Sequence, residues 1–319
     1  MSGSGTDDRV SSRSDEPRPA LDWAAGPPGT AGLGRDLAAP STDASPGMSR
    51  RRFLQVGALA GVAVAGSGGA RYVSYSNSFE VSRTTLVVPG SGPAFTVALI
   101  TDVHAPQPGL DFDAVVAASN DARPDLVLIV GDAVNRRGDE GLVEMYGPLQ
   151  ARLGKYAVAG NWENWGRVRR SLIRAVYERA GAIWLENKTT ALPEIGAQVI
   201  GLDESTNGWP DWSLVEGAPP GDDALLLLHH SPGSFKHLAD RASRPVLMLS
   251  GHTHGGQVAP FGVPLVLPPG CERYVQGRFE SGPHQLYVSR GIGNSHVPFR
   301  VGARPELAIL RVERSGRPA

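Results

Sequence analysis

The chain is nearly without cysteine. Cys271 is the only one in 319 residues, so no internal disulfide can form and no cluster of thiolates can hold a metal. Stability must then come from the core or from bound metal. A dominant charge is missing as well: 31 basic residues face 32 acidic ones, for a formal charge of -1. No global field steers the protein toward nucleic acid or an anionic membrane, and nucleic acid is not an expected partner. Long apolar runs of membrane-spanning length are absent, and so is any internal repeat of fixed period. Histidine is scarce too, with eight residues in all, and several of them fall directly after apolar runs.

The N-terminal part does not read as fold. Residues 1–47 are rich in Ser, Gly, Pro, Asp and Ala with no apolar period, the composition of a disordered leader. Then comes Ser49-Arg50-Arg51-Arg52-Phe53-Leu54-Gln55, the pattern of a twin-arginine export signal. Val56 to Ala70 is apolar but built of Gly, Ala and Val, which suits a signal core better than a spanning helix. Ala63-Val64-Ala65 offers a cleavage site; removal of the signal and its retention as a membrane anchor both fit. The expected organisation is a leader over 1–47, a signal over 48–70 and one domain over 71–319. The expected export partner is the twin-arginine machinery, and the expected location is the cell envelope, periplasmic or extracellular.

From about Tyr72 the pattern alternates strands and helices. Leu126–Val130, Ala224–Leu228 and Val246–Ser250 are continuous apolar runs, the mark of strands buried on both faces. Phe95–Thr101, Tyr156–Ala159, Ile183–Leu185, Thr189–Leu192, Ala197–Leu202, Gln285–Ser289 and Leu307–Val312 also read as strands. Helices are expected over Asp111–Arg123, Asp139–Leu153 and Val168–Ala180, with a short one over Phe235–Arg241. Helices between the early strands imply parallel crossovers, and their scarcity later suggests a second, more antiparallel sheet. The expectation is one α/β domain of two sheets.

Polar residues come at once after five of these runs: Asp102 and His104, Asp132, Asn161, His230, then His252 and His254. Ligands of open α/β sheets bind outside the carboxyl ends of the strands, so these residues can converge. Asp102 and His104 are two apart, as are His252 and His254, and in extended geometry each pair points one way. The set holds two carboxylates, one amide oxygen and four imidazoles, which suits Mn, Fe or Zn better than Ca. Seven ligands are too many for one tetrahedral ion but suit two divalent ions, with Asp132 as the natural bridge. Two ions about 3.5–4 Å apart activate a water and hold phosphoryl oxygens together. Asp132, Asn161 and His252 are accordingly the candidate catalytic residues.

The order Asp102-x-His104, Gly131-Asp132, Gly160-Asn161-x-Glu163, His230-Ser231-Pro232 and Gly251-His252-Thr253-His254 resembles the calcineurin-like metallophosphoesterase superfamily. Ser250–Val258, Val288–Gly293 and Arg304-Pro305-Glu306 are similar to a bacterial exported or membrane-associated subgroup. The resemblance implies a four-layer αββα sandwich of two mixed sheets. It implies one metal on Asp102, His104, Asp132 and His254, and another on Asp132, Asn161, His230 and His252. It implies hydrolysis of a phosphate ester or pyrophosphate bond in a small phosphorylated or phospholipid-like substrate. One residue departs from the pattern: Trp162 stands where the family usually has a histidine. An indole N–H donates a hydrogen bond but does not titrate. Three readings stay open: a substrate needing little leaving-group protonation, a substitute such as His229, His296 or a metal-held water, or a phosphate-ligand-binding protein with weakened turnover. Arg290, Arg300 and Arg304 are candidates for holding a phosphate, and Trp162, Trp165, Trp209 and Trp212 for lining a groove.

Overall fold

The computed structural model describes residues 73–74, 78–107, 109–135, 141–165 and 170–316. The expected leader and signal lie outside the described residues. The first strands are β1 (Val73–Ser74), β2 (Glu80–Val88), β3 (Phe95–Ile100), β4 (Leu126–Val130), β5 (Lys155–Val158) and β6 (Ala182–Trp184). There follow β7 (Lys188–Leu192), β8 (Ala197–Gly201), β9 (Ala224–Leu228) and β10 (Val246–Ser250). The last are β11 (Gly277–Ser281), β12 (His284–Val288), β13 (Arg300–Val301) and β14 (Glu306–Arg314). The helices are α1 (Phe112–Asp121), α2 (Leu142–Tyr146), α3 (Asn161–Trp165), α4 (Arg170–Arg179), α5 (Ser213–Glu216) and α6 (Leu238–Arg241).

Two six-stranded sheets form the frame, in the orders β2-β14-β3-β4-β5-β6 and β11-β12-β10-β9-β8-β7. In the first, β3 to β6 are parallel and β14 runs antiparallel to β3. In the second, β8, β9, β10 and β12 are parallel, and only the edge strands β7 and β11 are antiparallel. The expectation of a mainly antiparallel second sheet is therefore corrected. Short 3-10 turns, irregular segments and the short helices α5 and α6 carry the parallel connections where no long helix is legible.

The layers follow from burial. β4, β9 and β10 are buried at every position, as strands covered on both faces must be. Leu99, Leu128, Val158, Leu226, Leu228 and Leu249 pack between the sheets. The outer face of the first sheet packs Ile129 and Ala157 against Val115, Tyr146, Ile173 and Tyr177 of α1, α2 and α4. The outer face of the second packs Leu227 and Met248 against Val215 of α5 and Leu238 of α6. The result is the αββα sandwich.

Helix α1 starts where the Asp111 carboxylate accepts from Ala114 N at 3.0 Å, an N-cap that satisfies an orphan donor. Helix α2 is much shorter than the expected Asp139–Leu153, because Pro148 cannot continue it; the start of that span lies outside the described residues. Edge strands β2 and β11 mix polar and apolar residues with partial burial and so carry no apolar run in the sequence. Among the described residues no helix is long and apolar enough to cross a membrane.

Candidate metal centre

The carboxyl ends of both sheets open onto one seam, and all seven sequence-predicted residues lie there. Asp102 and His104 follow β3, Asp132 follows β4, and Asn161 opens α3 just after β5. From the other sheet, His230 follows β9, and His252 and His254 follow β10. All are buried. Asp102, His104 and His254 bring ligand atoms within 4.8 Å of one another, and so do Asp132, His230 and His252. Asp132 Oδ2 lies between the groups, 3.7 Å from His104 Nε2 and 3.2 Å from His230 Nε2. Asp102 Oδ1 is 3.4 Å from His254 Nε2 and 3.8 Å from His230 Nε2.

The pairs two residues apart do not converge by strand alternation. The strands end at Ile100 and Ser250. Beyond them Asp102, His104, His252 and His254 take φ values of 54, 51, 73 and 51°, in the left-handed region that ordinary residues avoid. Asp132 and His296 share it, at 54 and 58°. Each such residue costs of order 1 kcal/mol or more, and such strain gathers at functional sites.

Local packing explains how the loops come so close. A Cβ on Gly131 would fall 2.6 Å from Gly160 Cα and His230 Nδ1, so only glycine lets these turns touch. Glu163 then ties them together. Its Oε2 accepts from Asp132 N at 2.9 Å and Gly160 N at 2.8 Å, while Oε1 accepts from Ala133 N at 2.8 Å. Asp132 Oδ1 in turn accepts from Trp162 N at 2.8 Å. Between the sheets, Asp102 accepts from His252 N at 2.9 and 3.1 Å.

Hydrogen bonds also orient the rings. His230 Nδ1 donates to Val130 O at 2.7 Å, leaving Nε2 facing the carboxylates. His252 Nε2 lies 2.7 Å from Pro269 O and donates to it, leaving Nδ1 as the free lone pair. A ring so held presents one fixed nitrogen to a metal. Burial and the neighbouring positive groups push His104 and His254 well below their ordinary pKa, and burial with His230 lowers His252 to about 4. These rings are neutral, the form that ligates. Burial opposes a charge on His230, but the Asp132 and Asp102 carboxylates outweigh it and raise its pKa. Burial, with Glu163 and Asp102 nearby, raises Asp132 itself to about 7 against the pull of His230, so the carboxylates crowded in the seam favour a proton or a cation there. Asn161 Oδ1 is buried without a hydrogen-bond partner, which is costly unless something fills the role. Neutral imidazoles, carboxylates and an orphaned amide oxygen fit divalent metal ions.

A family model described as calcineurin-like phosphoesterase matches residues 95–256. The chain belongs to the calcineurin-like phosphoesterase family. It is a phosphoric ester hydrolase, and like the family it uses two divalent metal ions. It is 29% identical over 284 residues to the uncharacterized metallophosphoesterase YkuE of Bacillus subtilis, covering 83% of this chain and 98% of that one. It is 30% identical over 283 residues to the phosphodiesterase YaeI of Escherichia coli, covering 83% and 99%. A transmembrane protein with metallophosphoesterase domain from Bos taurus is 28% identical over 256 residues, covering 70% of this chain and 54% of that one.

Several side chains of this phosphoesterase differ from expectation. Arg300 is wholly buried and donates to carbonyls of His254, Arg290, Gly291 and Gly293; it props the loop behind His254 and faces no substrate. Arg290 bonds to Glu306 and Glu80, and Arg304 does not line the site cavity. Trp209 and Trp212 also stand apart from it, whereas Trp162 and Trp165 line it. His229 is packed, 3.0 Å from Ser234 Oγ and edge-on to Trp212. His296 lines the cavity, with its ring 5.9 Å from that of Trp162.

Sequence reasoning passed over three buried carboxylates, Glu163, Asp203 and Glu204. Glu163 was visible only as part of a motif. After β8 the signal of a polar residue behind an apolar run marks Asp203, and beside it stands Glu204. Its Oε2 accepts from Thr206 N at 2.6 Å and Thr206 Oγ1 at 2.5 Å, and Oε1 accepts from Ser231 Oγ. The same loop reaches back through Asn207 Nδ2, which donates to Asn161 O at 3.0 Å.

Proposed function

We propose that this phosphoesterase hydrolyses a phosphodiester or pyrophosphate bond in the cell envelope, after export by the twin-arginine route. In this reading Asp102, His104, Asp132 and His254 hold one ion, and Asp132, Asn161, His230 and His252 the other. Mn, Fe and Zn all suit the donor set. The observation that carries it is the convergence of the two ligand groups, with Asp132 between them, on the floor of one cavity. The bound ions supply Lewis acidity, polarising phosphoryl oxygens and lowering the pKa of a water. As ligands, Asn161, His252 and His254 would place the ions that hold the phosphoryl oxygens, and the hydrogen bonds of Glu163, Val130 and Pro269 keep these ligands from moving as charge develops.

Leaving-group protonation is the step that Trp162 cannot serve. Its ring is buried edge-on against His104, 5.4 Å between centroids. Beside it in the cavity lining, His296 is the imidazole outside the ligand set, and we assign it the proton donor's place. Lipid-linked and nucleotide-sugar pyrophosphates are the two substrate classes in view. Trp162 also favours a second reading, a metal-dependent phosphate binder with little turnover.

The test is hydrolysis of bis-p-nitrophenyl phosphate with added Mn, by the wild type and by Asp132→Ala. Metal-dependent turnover that disappears in Asp132→Ala supports the enzyme. Turnover that survives the substitution removes Asp132 from the site. A silent wild type beside an active Trp162→His selects the binder.

A further inference from the structure

The cavity over the metal centre measures about 350 Å³ and has two unlike ends. Its floor carries Asp132, Asn161, His252 and His254, with His296 at the side. Its remaining wall is mostly apolar, with Trp162 and Trp165 in ring contact and Leu265 to Pro269 beside Thr253, Gln257 and Ser295. The segment from Val258 to Pro269 runs twelve residues without one polar side chain. Its tip is open to solvent, with Phe261 at 72%, Val263 at 64% and Val266 at 47% exposure, and Trp165 is 41% exposed. Scattered exposed apolar residues are ordinary; a continuous strip leading out of a polar site is a mark of ligand binding.

Two of the polar side chains along this wall are engaged elsewhere. Gln257 Nε2 donates to Val297 O at 2.7 Å and its Oε1 accepts from Ser295 N at 2.9 Å. Thr253 Oγ1 donates to Val275 O at 2.5 Å. Among the described residues no lysine or arginine lines the cavity. A base, a ribose or a second phosphate group would therefore meet few partners there, and burying such groups without partners is costly. A hydrocarbon chain has no such demand. Because wall and floor belong to one cavity, a chain attached to a phosphate on the floor can lie along the wall.

We propose that the Trp162–Trp165 and Leu265–Pro269 wall is a subsite for the hydrocarbon chain of an amphiphilic phosphate ester. This rests on the reading of the site as a phosphoesterase and selects the lipid-linked class over the nucleotide-sugar class. Burying one methylene contributes about 0.8 kcal/mol, about fourfold in kcat/KM.

The experiment uses the full chain loaded with Mn and a series of alkyl p-nitrophenyl phosphodiesters, methyl to octyl, all below micelle formation. The expected result is kcat/KM rising up to about fourfold per methylene, and a flatter slope in Val266→Ser and Trp165→Ser. A second readout needs no turnover: the Mn-loaded protein binds octylphosphonate, which has no ester bond to cleave, more tightly than methylphosphonate, with a blue shift in tryptophan emission that shrinks in Trp165→Phe. Offering the octyl ester dissolved or in phosphatidylcholine vesicles tells a free amphiphile from a bilayer source, and faster turnover in either form supports the subsite. Hydrolysis of the methyl and octyl esters at equal kcat/KM overturns the subsite and leaves the phosphoesterase standing. No hydrolysis of any member, with bis-p-nitrophenyl phosphate also inert, removes the underlying reading, and equal phosphonate affinities then remove the subsite as well.

Discussion

Replacing Glu163 with glutamine keeps the shape of the side chain and removes what joins the two metal-bearing turns. In the native protein its carboxylate accepts from three backbone N–H groups, of Asp132, Ala133 and Gly160, and lies 3.3 Å from Tyr177 Oη. A glutamine has a single acceptor oxygen. Its best orientation keeps the Asp132 and Gly160 bonds and turns the NH2 toward Ala133 N–H, donor against donor, while Tyr177 can turn to accept. One charge-assisted bond is lost, worth about 1.5–3 kcal/mol, and a buried N–H is left unpaired at a similar cost. The two remaining bonds become neutral and weaker. Because these overlap, the expected loss is about 2–4 kcal/mol of stability. Asp132 sits on the loosened turn, so metal affinity should fall about 10–100-fold, as for other outer supports of metal ligands. Urea unfolding of the metal-free protein gives the first quantity, and calorimetric titration with Mn the second. A glutamine variant with the native urea midpoint and native Mn affinity would refute the account of Glu163 as the tie between the turns.

Further outcomes are expected. Burial opposes ionisation of Glu204, but His230 and the hydroxyls of Ser231 and Thr206 overcome it and hold the carboxyl at about 2, against 4.5 unfolded. A depressed pKa gives stability that is full above pH 4.5 and lost as pH falls toward 2; in the metal-free protein this is worth up to about 3 kcal/mol. Glu204→Gln should flatten acid unfolding in that window, and an unchanged pH profile would remove the carboxylate from it. Burial pushes the Cys271 thiol far above its ordinary pKa, so a thiol reagent at about pH 8, near the ordinary thiol pKa, should leave the folded protein untouched and titrate one group after unfolding. Trp162→His should speed hydrolysis of poor leaving groups by less than the roughly 10²–10⁴-fold range of general acid catalysis, because His296 already donates, while changing p-nitrophenyl esters little. His296→Gln should slow poor leaving groups selectively, and an equal loss on both kinds of ester would assign His296 to another task.

What could be read along the chain was local. Leu126–Val130, Ala224–Leu228 and Val246–Ser250 coincide with β4, β9 and β10 because a strand buried on both faces needs unbroken apolar character. The polar residues after these runs named the ligand candidates without any knowledge of distance. Strands β2 and β11 were not legible, since half-exposed edges carry mixed residues. The pairing of ligands depended on left-handed turns after Ile100 and Ser250, a backbone choice made by contacts across the sheets rather than by residues in sequence. Arg300 looked like a phosphate binder because guanidinium chemistry is visible in sequence, whereas its burial among carbonyls is not. Glu163 acquires its role only when Gly131 and Gly160 bring two turns within reach of one carboxylate. Sequence by itself determined which groups could bind metal and which runs had to be buried, because both are properties of single segments. Tertiary structure alone decided which groups meet, which are already satisfied and which face the cavity, because each depends on distances between segments far apart in the chain.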